Sequence, residues 1–150
     1  MDRLPIRILD QRLGREWPLP DYASPGAAGI DLRACIDHSL VLAPGVSTLI
    51  SAGFAMHIGD LGVAALLLPR SGLGHRGLVL GNLVGLIDSD YQGPVKISCW
   101  NRSPEALEIN PGERIAQMIL IPVLHPKLLL VEEFIPSERG EGGFGSTGKH

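Results

Sequence analysis

The sequence predicts a single-domain, all-β protein. Nineteen glycines and twelve prolines are spread through its 150 residues, which leaves little room for long helices. Short apolar or alternating stretches lie between them, as in a protein built from many short strands. The composition is 45% hydrophobic and 19% charged, typical of a folded chain that is long enough for one core but too short for two.

The strand candidates follow one another along the whole chain. In order, they are PIRIL, VSTLISAGFAMHI, GVAALLL, GLVL, PVKISCW, ALEI, RIAQMILIPVL and KLLLVEEF. Their spacing favours a barrel or two packed sheets. The apolar run GVAALLL predicts a strand buried on both faces, and a short helix is expected near Gly72–Arg76.

The composition changes once, after Pro136. The end of the chain, SERGEGGFGSTGKH, has five glycines between Gly140 and Gly148, and Phe144 is its single large apolar residue. A disordered tail is the simplest interpretation. An isolated aromatic beside phosphate-binding side chains instead favours a flexible lid. We therefore expect a barrel over residues 1–136 and a C-terminal lid arm over 137–150.

The net charge and the absence of targeting signals exclude several classes of partner and location. The net charge of −3, without a long basic run, argues against a nucleic-acid polymer as partner, although local donors could still bind small phosphates. The N-terminus lacks the apolar core of a signal peptide, and no apolar run approaches the roughly 20 residues that span a bilayer. Cys35 and Cys99 have no CxxC spacing, so two buried thiols in a reducing compartment are favoured over a disulfide. The prediction is a cytoplasmic protein without membrane contact.

Two short motifs lie in the first half of the chain. In AAGIDLRA (27–34), Asp31 could serve a ligand or could equally be a turn carboxylate that backbone amides satisfy. In PRSGLG (69–74), a Gly-rich turn at a strand end exposes amides, and Arg70 and Ser71 add donors suited to phosphate oxygens. The lysine and the spacing of a Walker loop are missing.

A third motif, GNLVGLIDSDYQG (81–93), carries two carboxylates. Its glycines suggest a β-hairpin whose backbone, with the Asn82 amide, could read the edge of a planar base. Asp88 and Asp90 would share one face of an extended strand. They could hold magnesium, or one could activate a water molecule. An acidic surface turn is the simpler alternative.

A fourth motif, PGERIAQM (111–118), places a polar amide in an apolar strand. Gln117 on an inward face needs a hydrogen-bond partner. A core hydrogen bond is the default interpretation, and contact with a ligand is the alternative.

With the C-terminal arm as the fifth, these motifs in this order closely resemble those of the homotrimeric dUTPase family, in its bacterial type. The similarity extends to SCWNRS and ILIPV between the motifs. The resemblance implies a jelly-roll-like β barrel that hydrolyses dUTP to dUMP and pyrophosphate by attack of water on the α-phosphorus. It implies Mg²⁺ as cofactor and a homotrimer with active sites between subunits. Such an enzyme limits uracil in DNA and supplies dUMP for thymidylate synthesis.

The resemblance also implies roles for individual residues. Asp88 would be the general base for the water, with Gln117 beside it, and Asp31 would reach the metal through water while the phosphates hold the ion. The implied substrate-binding residues are Arg70, Ser71, Gly72, Asn82, Leu86, Ile87, Asp88, Tyr91, Lys96, Arg139, Phe144 and Ser146.

The resemblance also implies which part of dUTP each of these residues contacts. Residues 70–72, with Arg139 and Ser146, would bind the triphosphate. Asn82 and the backbone of 86–88 would read uracil, on which Phe144 would stack, while Lys96 would contribute mainly through its main chain. Tyr91 would pack on the deoxyribose and exclude a 2′-hydroxyl.

Two rival functions remain open. A dCTP deaminase-like enzyme would need a glutamate acid/base beside the pyrimidine, where this sequence has aspartates and Asn82. A catalytically inactive nucleotide-binding β barrel would bind without turnover. One departure from the family is HRGLVL, which is one residue shorter than in many bacterial members and leaves His75 and Arg76 without an assigned role. The histidines show no metal spacing, so no zinc site is expected.

Overall fold

The structure, a computed structural model, describes residues 3–141. Within this range the chain forms ten strands and one short helix. They are β1 (Ile6–Ile8), β2 (Ile30–Arg33), β3 (Leu40–Leu42), β4 (Ser47–Met56), β5 (Val63–Pro69), α1 (Ser71–His75), β6 (Leu78–Leu80), β7 (Gly85–Ile87), β8 (Pro94–Asn101), β9 (Leu107–Ile109) and β10 (Arg114–Pro122).

The strands form two four-stranded sheets in a jelly-roll-like arrangement. One sheet has the order β1-β4-β8-β6, the other has the order β2-β10-β5-β7, and β3 and β9 form a separate pair. All of these pairings are antiparallel. The predicted all-β fold class is therefore confirmed.

The core lies between the two sheets. Along β8 every second residue is buried, from Val95 through Ile97 to Cys99, as expected for a strand with one face toward the core. Leu32 of β2 and Met118 of β10 are also almost completely buried. The apolar run expected to be buried on both faces is β5, which pairs with β10 and β7 and has no exposed residue. The predicted short helix is α1.

Two sequence-based expectations were wrong. The stretch KLLLVEEF, residues 127–134, forms no strand: its backbone pairs with no strand of the described chain, and its side chains are exposed. The 81–93 segment is not a hairpin. Its strand β7 pairs with β5, whereas β6 and β8 on either side belong to the other sheet. The segment thus crosses from one sheet to the other and back.

The same crossover changes the geometry expected of the two aspartates. Strand β7 ends at Ile87, and residues 89–90 form a turn, so Asp88 and Asp90 do not share one face of an extended strand, as had been expected. A turn forms there because the chain must leave one sheet and enter β8 of the other within a few residues.

Both cysteines are free, Cys99 buried and Cys35 half-buried. Burial raises the pKa of the Cys99 thiol to about 12. Burial, followed by the charge of Asp10, raises the pKa of Cys35 to about 11. In the described part of the chain, no helix has the length and apolar character that crossing a membrane requires.

Candidate active site

Most of the predicted site residues lie around two separate cavities. The first, here called the arginine cavity, has a volume of about 990 Å³. Of the residues singled out above, its lining includes Asp31, Arg70, Ser71, Gly72 and Gln117. The second, here called the tyrosine cavity, has a volume of about 220 Å³ and is lined by Leu86, Ile87, Asp88, Tyr91, Pro94, Val95 and Lys96. No residue lines both.

The end of β5 places the donors of the arginine cavity. Arg70 follows Pro69 in an extended conformation (φ −82°, ψ 137°), and its carbonyl then accepts a hydrogen bond from the Gly74 amide at 2.7 Å. This abrupt change from strand to helical turn leaves Ser71 and Gly72 exposed. A Cβ atom at Gly72 would meet nothing within 4 Å, so packing within the chain does not require glycine at this position.

Asp31 lies at the centre of an ion-pair network. Its Oδ1 is 2.9 Å from Nε of Arg70, and its Oδ2 is 2.9 Å from Nη1 of Arg114. The Asp31 side chain is only 19% exposed. The alternative in which backbone amides of a turn satisfy this carboxylate is therefore wrong, because Asp31 belongs to β2 and its partners are guanidinium groups.

Gln117 lies directly opposite Asp31 in the β10–β2 pair. Its Nε2 donates to the Pro69 carbonyl at 2.9 Å, so the partner of this polar side chain is the strand end that carries Arg70. A Cβ atom at Gly29 would come within 3.0 Å of the Gln117 Oε1. The glycine thus leaves room for the amide to lie along the cavity wall.

Sequence reasoning did not single out Arg114, although the residue lies inside the fourth motif. A β-bulge determines which face of β10 the Arg114 side chain is on. Arg114 pairs with Arg33 and Ala116 pairs with Leu32, so Ile115 is an extra residue on β10. Because a bulge breaks the strict alternation of faces, Ile115 and Ala116 are both buried. Arg114 then joins Gln117 at the cavity.

The tyrosine cavity is built from the turn after β7. The Tyr91 amide donates to the Asp88 carbonyl at 3.3 Å, and the Tyr91 hydroxyl donates to the Pro94 carbonyl at 2.9 Å. The ring crosses so close to Gly93 that a Cβ atom there would lie 2.4 Å from the tyrosine oxygen. The Asp88 and Lys96 side chains are exposed.

Some predicted site residues join neither cavity. Asn82 is exposed in the turn after β6, and Arg139 is exposed on the C-terminal segment; neither lines the two cavities. Phe144 and Ser146 lie outside the described residues. His75 and Arg76, which had no assigned role, do line the arginine cavity.

The residues available to a metal ion are few. Within residues 3–141, no three His, Cys, Asp or Glu side chains come together as a metal-binding group. Among the residues that the structure describes, Asp31 is the one carboxylate that lines the arginine cavity. A single carboxylate fits Mg²⁺ bound largely by water and ligand oxygens, because this ion gives up its waters reluctantly.

Comparison with known families identifies the chain. The family model described as dUTPase matches residues 15–148, nearly the whole sequence. The chain belongs to the dUTPase family. The resemblance drawn from the five motifs is thereby confirmed.

Curated dUTPase relatives match from end to end. The deoxyuridine 5′-triphosphate nucleotidohydrolase of Methylococcus capsulatus is 66% identical over 151 aligned positions, with 100% of both chains covered. The protein of the same name from Shigella sonnei is 59% identical, with 99% of both covered. Both are bacterial proteins, in agreement with the type expected from the motifs.

Solved dUTPase structures share the fold. A mutant dUTPase of the Staphylococcus bacteriophage 80alpha in complex with dUpNHpp is 28% identical with a TM-score of 0.81, covering 99% of both chains. A mutant dUTPase from phage phi11 of S. aureus, described with a structural Mg(II) ion, is 25% identical with a TM-score of 0.77. It covers 89% of this chain and 99% of its own.

Proposed function

We propose that this protein hydrolyses dUTP to dUMP and pyrophosphate. The observation that carries this proposal is the similarity to dUTPases: the family model matches residues 15–148, and a deoxyuridine 5′-triphosphate nucleotidohydrolase is 66% identical over the full length of both chains. The two cavities support it, because one presents cationic donors and the other a small, mostly uncharged surface with a phenol ring. Such a pair suits the two ends of a nucleotide.

The arginine cavity is proposed to bind the triphosphate. Arg70 and Ser71 supply donors, and Arg is well suited to phosphate oxygens. Gly72 supports this assignment, since no packing within the chain requires a glycine there. A position without a side chain lets a ligand approach the backbone closely.

The tyrosine cavity is proposed to bind deoxyuridine. The backbone of Leu86–Asp88, with Asn82 and the main chain of Lys96, would read uracil. The Tyr91 ring, held by its bond to Pro94, would pack on the sugar where a 2′-hydroxyl would otherwise sit. The bond between the Tyr91 hydroxyl and the Pro94 carbonyl orients the ring, so a bulkier sugar could displace the ring only by breaking that bond.

Asp88 is proposed as the general base that orients and activates the attacking water, with Gln117 near the attacked phosphate. A carboxylate is a weak base, so most of its contribution would be positioning. Asp31 would contact the magnesium ion through water. Magnesium, bound with the substrate, would supply neutralisation of the phosphate charge. Arg139, Phe144 and Ser146 would close over the substrate from the arm of residues 137–150.

We further propose that the enzyme is a homotrimer whose sites lie between subunits. Asp88 lines one cavity and Gln117 lines the other, so a site that uses both could combine cavities of two chains. Large apolar side chains near the end of the chain would also gain burial by association. The most exposed of these are Leu124, Leu128, Leu129, Leu130, Phe134 and Ile135.

The cytoplasm is the proposed location, supported by the two free thiols, which suit a reducing compartment. There the enzyme would limit uracil in DNA and supply dUMP for thymidylate synthesis.

Pyrophosphate release tests the reaction. We expect rapid release from dUTP and at most slow release from dTTP, dCTP and UTP. We also expect activity to disappear with EDTA and to return with Mg²⁺. Ammonia release from dCTP would instead identify a deaminase, and binding of dUTP without turnover would identify an inactive nucleotide-binding barrel.

Mixed oligomers test the shared site. Asp88→Asn and Gln117→Ala chains, each nearly inactive alone, are unfolded together and refolded at equal ratio. If each site combines the two cavities from different chains, about a quarter of the sites will contain two intact halves by random mixing of subunits. Activity no higher than that of either variant alone would contradict the proposal. A sedimentation measurement on the wild type checks the trimer itself.

A further inference from the structure

We infer that Arg114 is a positioning residue: it keeps Asp31 charge-paired when Arg70 turns from Asp31 to the triphosphate. This inference rests on the proposed function, and it adds to that function a residue to which the motif analysis assigned no role. It concerns the charge balance of the arginine cavity before and after substrate enters.

Arg114 contacts both other members of the network. Its Nη1 is 2.9 Å from Oδ2 of Asp31, while its own carbonyl accepts a hydrogen bond from Nη1 of Arg70 at 3.3 Å. Arg70 uses a different atom, Nε, for the other carboxylate oxygen of Asp31. Each arginine therefore occupies its own oxygen, and one can leave while the other stays.

The need for a second arginine follows from charge. Arg70 is the proposed phosphate ligand, yet in this structure it is paired with Asp31. If Arg70 were the only partner within the chain, turning toward a phosphate would leave a largely buried carboxylate without a direct cationic partner beside a polyanion, because the magnesium ion would reach it only through water. Both effects oppose substrate binding, because an unpaired buried charge is costly and like charges repel. Arg114 removes this conflict by remaining on Asp31.

The backbone places Arg114 for this role. In a regular strand, residues three positions apart point to opposite faces, so Arg114 would face away from Gln117. The bulge at Ile115 brings both to the same cavity. Bulges are frequent near active sites because they re-aim a side chain.

The test compares Arg114→Met with Arg33→Met. Arg33 lies opposite Arg114 on β2 and donates to the Gly112 carbonyl at 2.8 Å, but it does not line the arginine cavity. It is therefore a matched control for loss of an arginine at the same bulge. We expect Arg114→Met to raise the KM for dUTP about tenfold, the lower end of what loss of a hydrogen bond to a charged group costs, with a much smaller change in kcat. Arg33→Met should leave both constants within about twofold, as for a residue without a functional contact.

A double-mutant cycle distinguishes positioning from a general structural effect. In an Asp31→Asn background the carboxylate charge is gone, so Arg114→Met should raise KM little further; non-additivity of this kind is the signature of direct coupling. Arg114→Lys, which retains the charge, should recover part of the lost affinity. Thermal unfolding of every variant shows whether the fold is retained.

The outcomes separate the two proposals. If the wild type does not turn over dUTP, the proposed function itself fails. If the wild type is active but Arg114→Met behaves like Arg33→Met, or if its KM effect persists undiminished in the Asp31→Asn background, only the inference about Arg114 is overturned. Calorimetric binding of inorganic triphosphate gives an independent readout, and weaker binding to Arg114→Met than to Arg33→Met is expected.

Discussion

The arginine cavity and the tyrosine cavity are held together by different forces. The first depends on charged side chains from distant parts of the chain: Arg114 and Asp31 are 83 residues apart in sequence, and Arg70 and Arg114 are 44 apart. The second is formed by residues 86–96, and hydrogen bonds within one turn hold the Tyr91 ring. A change in the first should therefore spread through its ion pairs, whereas a change in the second should stay local.

The largest expected effect lies in the tyrosine cavity. Asp88→Asn should lower kcat at least about 100-fold, as expected for loss of a general base, with little change in dUTP binding. Asp88 is exposed and makes no ion pair in the described chain, so its substitution should leave the arginine cavity intact. Steady-state kinetics and calorimetry with dUTP test this, and an unchanged kcat would mean that another group activates the water.

Removal of residues 139–150 tests the C-terminal arm, a third region beside the two cavities. We expect the truncated protein to remain folded and to lose roughly five- to 150-fold in kcat/KM, since stacking of one aromatic on a base contributes roughly 1–3 kcal/mol. Circular dichroism and pyrophosphate release measure the two parts of this prediction. Full activity of the truncated chain would exclude a lid role for the arm.

A steric change in the tyrosine cavity should alter selectivity. Gly93→Ala would place a Cβ atom against the Tyr91 hydroxyl, so the ring must shift. We expect the preference for dUTP over UTP, measured as the ratio of kcat/KM values, to fall about tenfold, the order of effect that a small steric change in a binding pocket produces. Gly26→Ala is the control, because a Cβ atom there meets nothing within 4 Å. If both variants select equally well, the position of Tyr91 does not govern sugar discrimination.

The smallest effect on activity should come from a substitution in the core, away from both cavities. The Cys99 thiol has its pKa raised from 9.0 to about 12 by burial. Because the pKa is higher in the folded state, the unfolded chain loses the Cys99 proton first as the pH rises. The stability associated with the protonated, buried thiol is therefore complete below about pH 9 and is lost as the pH rises toward 12. Compared with wild type, Cys99→Ala should show a shallower loss of the free energy of unfolding over this window. Equal slopes for the two proteins would contradict the assigned cause, and kcat/KM at neutral pH should be unchanged.

How far the sequence could predict the site differs between the two cavities. Asp88 and Tyr91 are three residues apart, and a single motif was enough to place them together. Asp31, Ser71 and Gln117 were named individually, but their meeting at one cavity depends on the pairing of β2, β10 and β5. Arg114 was missed because a bulge reverses its face, and neither periodicity nor propensity indicates that a strand contains an extra residue.

The sequence by itself determined the all-β class, the apolar core strands and, through its five motifs, the family. These follow from residue chemistry and from patterns between near neighbours. Only the tertiary structure decided that residues 81–93 cross between sheets, that residues 127–134 remain unpaired, and that two arginines share Asp31. Each of these depends on which distant strand offers a free edge or an opposite charge. Local propensity carries no information about partners that lie tens of residues away.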